Sequence, residues 1–369
     1  MLTKEKIQNY LQNTFGTRLK IIGVEELGLE SKPKPEGGEE REIKGFGYGK
    51  PYLVEFETGE GEIKEVVISS MKGNGFGHDH LSDRAQILIW QHHAFNKLPK
   101  HVKSLDVGYF TKDERMESAS DAEEYFIVCE KVEGEEYVKD LDRLKEGGVL
   151  RKEDEERVSA LASYLADIHA VKKDDARLYV RRIRELVGHS ECIFGLTDSY
   201  PPRSEFITSE ELKEIEKKCI DWKWKLKTKT KRLCMVHGDF HPWNVMFRKG
   251  TDFTVLDRSR GEWGEAADDV SSMTINYLFF GLLKTDGEAI DSDFKRLYEA
   301  FFGVYLEETG DYELLGVIQP FYAFRGLVVA SPVWYPNISV DTRGKLFNFI
   351  KNVLDAEAFD YKGVGKYLE

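Results

Sequence analysis

The chain has 369 residues, with 53 Lys and Arg against 66 Asp and Glu and a 41% hydrophobic fraction. A formal net charge of −13 argues against a nucleic-acid or anionic-membrane binder, because phosphate contacts need clustered Lys and Arg. The length suggests about two domains, and the apolar content is ample for real cores rather than disorder.

The stretch from Met1 to Gln12 holds no uninterrupted apolar run, and the apolar stretch Leu314 to Trp334 is broken by Gln319, Pro320 and Arg325, so a soluble cytoplasmic protein is expected. Cys129, Cys192, Cys219 and Cys234 are widely spaced with no CxxC pair, which suggests neither a disulfide framework nor a zinc site.

In chain order, β-branched alternation over Leu19 to Gly23, Arg41 to Gly45, Tyr52 to Phe56 and Ile63 to Met71 predicts a twisted antiparallel sheet. The turn Thr58 to Glu62 joins the last two runs as a hairpin. Gly45, Gly47 and Gly49 lie between two strands, where glycine lets backbone N–H groups approach phosphates closely. On glycine count alone an ordinary Gly-rich hairpin serves equally well. The Walker pattern fails, since residue 44 is Lys and Pro51 stands where Ser or Thr belongs.

Alternation in the strand Val66 to Lys72 puts Ser70 and Lys72 on one face. After a loop carrying Gly73, Gly75 and Gly77, a helix is predicted from an N-cap at Ser82 through Trp90. Val102 to Tyr109 and Tyr125 to Cys129 read as two further strands, and Glu133-Gly134 as a turn. An amphipathic helix over Lys152 to Val171 buries Val158, Leu161, Leu165 and Ile168, and a second runs from Ser209, its candidate cap, to Lys225. Residues 270–369 alternate helical runs with breaks at Gly310 and Pro332. The predicted fold class is α+β: a small antiparallel-sheet lobe with one helix over residues 1–131, and a larger, mainly helical lobe over 132–369.

The stretch that carries chemistry is His237-Gly238-Asp239-Phe240-His241-Pro242-Trp243-Asn244, followed by Phe253 to Asp257. An Asp five residues before an Asn, with a His two before that Asp, is the spacing of a phosphotransferase catalytic loop. Phosphoryl transfer needs one carboxylate at the attacking hydroxyl. It also needs an amide oxygen and a second carboxylate, on the next hairpin, to hold Mg²⁺ against the phosphates. Asp239, Asn244 and Asp257 supply one residue for each role. A plain turn with local side-chain bonds to the backbone would need neither residue at a fixed separation from Asp257.

On these residues the chain resembles the aminoglycoside phosphotransferase and choline kinase-like family, whose loop is written HGDxHxxN, over most of residues 40–270. The resemblance implies a bilobal protein-kinase-like fold with ATP, or in some members GTP, and Mg²⁺ between the lobes. It makes Tyr125 to Gly134 the hinge, offering the Glu130 carbonyl and the Val132 N–H to the purine. Leu161 to Ala170 becomes the helix before the catalytic loop, and Asp269 the late acid that buttresses that loop. In this frame Gly45, Gly47 and Gly49 form a phosphate lid and Lys72 the phosphate cation. The expected helical Glu is missing from Ser82 to Gln91, so Asp83, then Asp79, stands in as the partner of Lys72.

The function that follows is transfer of the γ-phosphate of ATP to a hydroxyl of a small molecule. The alternative is a catalytically weak nucleotide-binding regulatory module of the same fold. A protein kinase is disfavoured, because Asp257 is not followed by Phe-Gly and only eleven residues separate it from Asp269, too few for an activation segment. The partners expected are therefore a nucleotide and a small hydroxyl-bearing acceptor, with neither nucleic acid nor membrane. Residues 172–232 and the final hundred should build the acceptor pocket, with Phe321, Tyr322, Phe324, Trp334 and Tyr335 as aromatic lining or as core. Arg258 and Arg260, beside the transfer site, suit phosphate or carboxylate, or else pair with Glu262, Glu265 or Asp268.

Overall fold

A computed structural model describes residues 3–27, 49–73, 77–258 and 260–369. Its contacts divide the chain into two compact units, Met1–Cys129 and Glu130–Glu369.

In the first unit, helix α1 (Lys4–Phe15) starts at Thr3, whose side chain accepts from the Lys6 N–H, and stops at Gly16 in the left-handed conformation. It is followed by β1 (Leu19–Glu26), β2 (Gly49–Thr58) and β3 (Ile63–Met71), an antiparallel sheet in the order β1-β2-β3. The β2–β3 register sets Val54 opposite Val66, and the hairpin closes with the Thr58 N–H donating to the Glu62 carbonyl at 2.8 Å. One sheet face buries Leu19, Ile21, Val54 and Phe56 against Ile7 and Leu11 of α1. The expected strand over Arg41 to Gly45 lies outside the described residues.

Helix α2 (Leu81–Phe95) begins two residues earlier than its sequence suggests. Its cap is His80 rather than Ser82, because the Asp83 carboxylate at the third helical position accepts the His80 N–H at 2.8 Å. Strand β4 (Gly108–Phe110) pairs with β5 (Met116–Ser118), so only the end of the run expected over Val102 to Tyr109 is a strand. The strand expected over Tyr125 to Cys129 does not form: these residues are irregular, with Phe126, Ile127 and Val128 each more than 80% exposed. An apolar β-branched run becomes a strand only where a neighbour accepts its hydrogen bonds, and here no described strand lies beside it.

The second unit is mainly helical. Its elements run β6 (Glu135–Glu136), α3 (Val138–Lys145), α4 (Lys152–Ala170), α5 (Ala176–Gly188), α6 (Ile193–Asp198) and α7 (Ser209–Leu226). Then come β7 (Cys234–Met235), β8 (Val245–Phe247), β9 (Phe253–Val255), β10 (Trp263–Gly264), α8 (Ala266–Lys284), α9 (Ser292–Thr309), α10 (Gln319–Val329) and α11 (Val340–Asp355). Helix α4 buries Val158, Leu161 and Leu165 and packs against α9. Helix α7 is capped by Thr208, not Ser209: Thr208 and Glu211 form a reciprocal capping box.

Helix α8 is buried around nearly its whole circumference, with α9 and α10 packed on it, which makes it the axis of this core. Two small antiparallel sheets, β6-β8-β9 and β7-β10, carry the segment from Val236 to Asp257. The architecture is mixed, helices with small antiparallel sheets. Among the described residues no helix is long and apolar enough to cross a membrane.

Candidate active site

The loop after β7 is fixed by its backbone. Gly238 has φ +87, a left-handed conformation that favours glycine, and a Cβ there would lie 3.1 Å from the Cβ of Arg260. Asp269, fully buried in the first turn of α8, accepts the His237 N–H on Oδ2 and the Gly238 N–H on Oδ1, both at 2.7 Å. His169 of α4 sets its Nε2 3.1 Å from the same Oδ2, and its Nδ1 lies 2.9 Å from the Tyr305 hydroxyl on α9. Burial pushes the Asp269 carboxyl up, but the His169 bond, the positive field of both histidines and the His237 N–H outweigh it and hold it below the usual carboxylate range. Three helices thus grip the loop through one carboxylate, as expected for Asp269.

That grip presents Asp239. Its Oδ1 lies 2.5 Å from Nη1 of Arg325 on α10, and its Oδ2 lies 3.5 Å from Nε2 of His241. Arg325, only 5% exposed, also donates from Nη2 to the Gly238 carbonyl at 3.0 Å and to Oδ1 of Asp268 at 2.6 Å. Burial alone would raise the Asp239 carboxyl, yet the His241 bond and the Arg325 and Arg260 guanidiniums hold it far below the ordinary range. Asp239 is therefore a carboxylate at any physiological pH.

A short 3₁₀ turn, Pro242–Asn244, leads into β8. The nearly buried Asn244 donates from Nδ2 to the Asp239 carbonyl at 3.0 Å, which leaves its amide oxygen to face away from that bond. The β8–β9 register pairs Val245 with Val255, and the Leu256 N–H donates to the Asn244 carbonyl at 2.9 Å. Asp257 follows Leu256 directly. It is exposed and has φ +52, an uncommon conformation for a residue other than glycine. Among the described residues no hydrogen bond or ion pair holds its carboxylate.

An amide oxygen and an uncommitted carboxylate are hard oxygen donors, the set that suits Mg²⁺ rather than a softer metal. Among the described residues no cluster of three or more His, Cys, Asp or Glu could hold a metal. A magnesium ion held here would keep most of its coordination for water and phosphate oxygens, as Mg²⁺ usually does.

Of the other candidates, Gly49 opens β2 opposite Met71, so the β2–β3 hairpin brings it next to Lys72 in the first unit. Gly45 and Gly47 lie outside the described residues. Asp83 accepts the His80 N–H at the start of α2. Glu130 is exposed and Val132 half-buried in irregular chain, so no hinge strand precedes them.

Arg258 pairs with none of the acids expected for it. Its Nε and Nη2 donate to the Val236 carbonyl at 2.9 and 2.7 Å, and Nη2 also reaches the Glu262 carbonyl at 3.1 Å. Arg260 instead points back to the loop, its Nε 3.9 Å from Oδ1 of Asp239. Phe321 and Tyr322 are buried in the core and so do not line a pocket, whereas Trp334 is exposed.

Sequence reasoning missed Arg325 and His169, and offered Asp268 only as a partner for Arg258 or Arg260, whereas it pairs with Arg325. The signal for Arg325 was present, since a lone guanidinium inside an apolar run is buried only if carboxylates meet it.

The model of the phosphotransferase enzyme family matches residues 108–306. No curated protein matches the chain. Similar solved structures include a glucosamine kinase (17% identity, TM-score 0.34), where the match covers 63% of this chain and 55% of that one. The chain thus spans about half the length of that kinase. Another is the ethanolamine kinase of Plasmodium vivax (16% identity, TM-score 0.33, 86% of this chain and 78% of that one). A third is a spectinomycin phosphotransferase in complex with ADP and spectinomycin (11% identity, TM-score 0.32, 100% and 98%). The family match takes in more than half of the chain, including the whole segment from the gripped loop to the acid of α8, and the protein therefore belongs to the phosphotransferase enzyme family.

Proposed function

We propose that this protein moves the γ-phosphate of ATP, or of GTP, to a hydroxyl of a small-molecule acceptor. The observation that supports this most is the supply of Asp239, Asn244 and Asp257 by one loop and the hairpin after it, with the loop backbone gripped by Asp269. A turn kept for folding alone has no use for an exposed, uncompensated Asp257 in a left-handed conformation.

In this reading the acceptor hydroxyl hydrogen-bonds to Oδ2 of Asp239, since Oδ1 is already held by Arg325. As the acceptor oxygen bonds to the γ-phosphorus, the bond from that phosphorus to the β,γ-bridging oxygen breaks and ADP leaves. The hydroxyl proton passes to Oδ2. A carboxylate held this far below its usual range is a weak base, so its main contribution is to orient the hydroxyl, which suffices for the loose transition state of phosphoryl transfer. Asn244 and Asp257 are the residues to hold Mg²⁺, whose charge, when bound, offsets that of the phosphates. Lys72, with the glycines at 45, 47 and 49, is proposed to contact phosphates, and Glu130 and Val132 the purine.

The test is release of the nucleoside diphosphate, ADP from Mg-ATP or GDP from Mg-GTP, across a panel of hydroxyl-bearing metabolites, with Asp239→Asn as the control. Transfer to at least one acceptor, lowered roughly 10²-fold or more in kcat by the substitution with nucleotide affinity retained, supports the reading. Nucleotide binding without any acceptor-dependent diphosphate release would favour the regulatory module instead.

A further inference from the structure

Four residues past Asp257, the chain turns at Gly261 (φ +96) and returns to β10. Two guanidiniums fix this turn. Arg258 is spent on the Val236 and Glu262 carbonyls, while Arg182 of α5 fills the space a Gly261 side chain would take and donates to the Trp263 carbonyl at 2.9 Å. Arg260 thereby lies against the base loop, its Cβ over Gly238.

The donors of Arg260 are poorly used. A guanidinium offers five N–H groups. Nη1 donates to the Cys192 sulfur at 3.4 Å, a weak acceptor whose thiol burial pushes up to about 11, so it stays neutral. The guanidinium sits 5.0 Å from the centre of the Phe324 ring. Nε is buried with no hydrogen-bond partner, and the 3.9 Å to Oδ1 of Asp239 is too long for one. That oxygen, and Oδ1 of Asp268, already take their short bonds from Arg325. A buried donor left unmet is unfavourable.

Charge points the same way. A polycationic acceptor would need carboxylates to spare around the base, but Asp239 and Asp268 pair with Arg325, Arg260 lies 3.9 Å from Asp239, and the uncommitted Asp257 is given to Mg²⁺ in this reading. A rigid, planar, permanently charged fork with donors to spare suits a two-oxygen anion.

Resting on the phosphotransferase reading above, we infer that the acceptor carries an oxyanion, a carboxylate or a phosphate, close to the hydroxyl it offers, and that Arg260 is the residue that takes it. Arg260 then sets acceptor specificity with the part of its guanidinium that solvent reaches, its side chain being 25% exposed, while the buried Nε stays against Asp239. Of the two arginines the sequence offered for an anion, the structure leaves only Arg260 for this role.

The experiment measures kcat/KM by ADP release for matched acceptors. Glycerate and gluconate are compared with glycerol and glucitol for the carboxylate arm, and glycerol 3-phosphate with glycerol for the phosphate arm. Glucosamine and kanamycin supply the cationic arm. All are measured for the wild type, Arg260→Ala and Arg260→Lys. The expected result is a preference for the anionic member of a pair, by about 10- to 100-fold, the range of a charge-assisted bond. Arg260→Ala should collapse that ratio, while Arg260→Lys, which keeps the charge without the fork, should retain part of it. Whichever arm shows the collapse identifies the anion.

Preference for neutral or cationic acceptors in the wild type would overturn the inference and leave the kinase reading standing. So would an equal loss on both members of every pair, because that is the signature of contact with the transferring phosphoryl group or of a purely structural role. Absence of acceptor-dependent ADP from every arm would instead sink the phosphotransferase reading on which the inference rests.

Discussion

At the scale of single residues, the site was half legible. Asp239, Asn244 and Asp257 stand out in the sequence because the roles proposed for them demand fixed spacing within one loop and one hairpin. Arg325 could not, because its partner Asp239 is 86 residues away and long-range ion pairs leave no period in a sequence. Yet Arg325 should govern how the base titrates. It is among the groups that hold Asp239 below the usual carboxylate range against the upward push of burial. Removing it must let the Asp239 pKa rise, so for Arg325→Gln the acid limb of the kcat/KM profile should move to higher pH, with the alkaline limb unmoved. The same pair bears on stability. A carboxyl lowered in the folded state contributes stability above its unfolded pKa and loses it as pH falls through the folded value. Wild-type protein should accordingly resist acid unfolding further than Arg325→Gln does, as followed by circular dichroism. An acid limb that stays in place would remove Arg325 from the control of Asp239.

At the scale of elements, errors came where two signals competed. Thr208 and Ser209 both suit an N-cap, and the discriminator is Glu211, which sits at the third helical position only if Thr208 is the cap. Thr208→Ala should cost about 1 kcal/mol, the usual worth of such a cap, whereas Ser209→Ala should be nearly neutral in thermal melts. Tyr125 to Cys129 has strand composition but, among the described residues, no strand beside it, which no local pattern can reveal. The end of the β8–β9 hairpin shows a further conflict, between stability and function. Asp257 holds a left-handed backbone that costs an ordinary L residue roughly 1–2 kcal/mol and glycine little. Asp257→Gly should therefore unfold at a temperature no lower than wild type while its Mg²⁺-dependent nucleotide binding weakens, read by differential scanning calorimetry and a Mg²⁺ titration. A lowered Tm with unchanged Mg²⁺ dependence would contradict both the strain and the metal role given to Asp257.

At the scale of the whole molecule, the strand and helix patterns lead to a sheet-bearing first part with one helix and a helical remainder, but the first unit holds two helices, α1 and α2, and nothing local shows how unequally the units are cored. The first unit buries Ile7, Leu11, Leu19, Ile21, Val54 and Phe56, and its helix α2 has no buried residue. In the second unit, α8 alone contributes Val270, Met273, Ile275, Tyr277, Leu278, Phe279 and Leu282, each at most 1% exposed. Each side chain of that kind, fully buried, is worth roughly 1.5–3 kcal/mol, and the free energy of a local opening follows the apolar contacts that must be broken. Amide hydrogen exchange should therefore divide the molecule into three classes. The α2 amides should exchange fastest, since opening that helix exposes little new apolar surface. Strands β1 to β3 should follow, limited by one face of one sheet. The amides of α8 and α10 should be slowest and approach the global unfolding free energy, because no local motion frees a helix enclosed on all sides. Substitution should sort in the same order: Leu278→Ala, in the axis of the larger core, should cost about 2–5 kcal/mol, and Ile87→Ala in α2 far less. Exchange of α2 as slow as that of α8 would mean that its apolar residues are covered in solution.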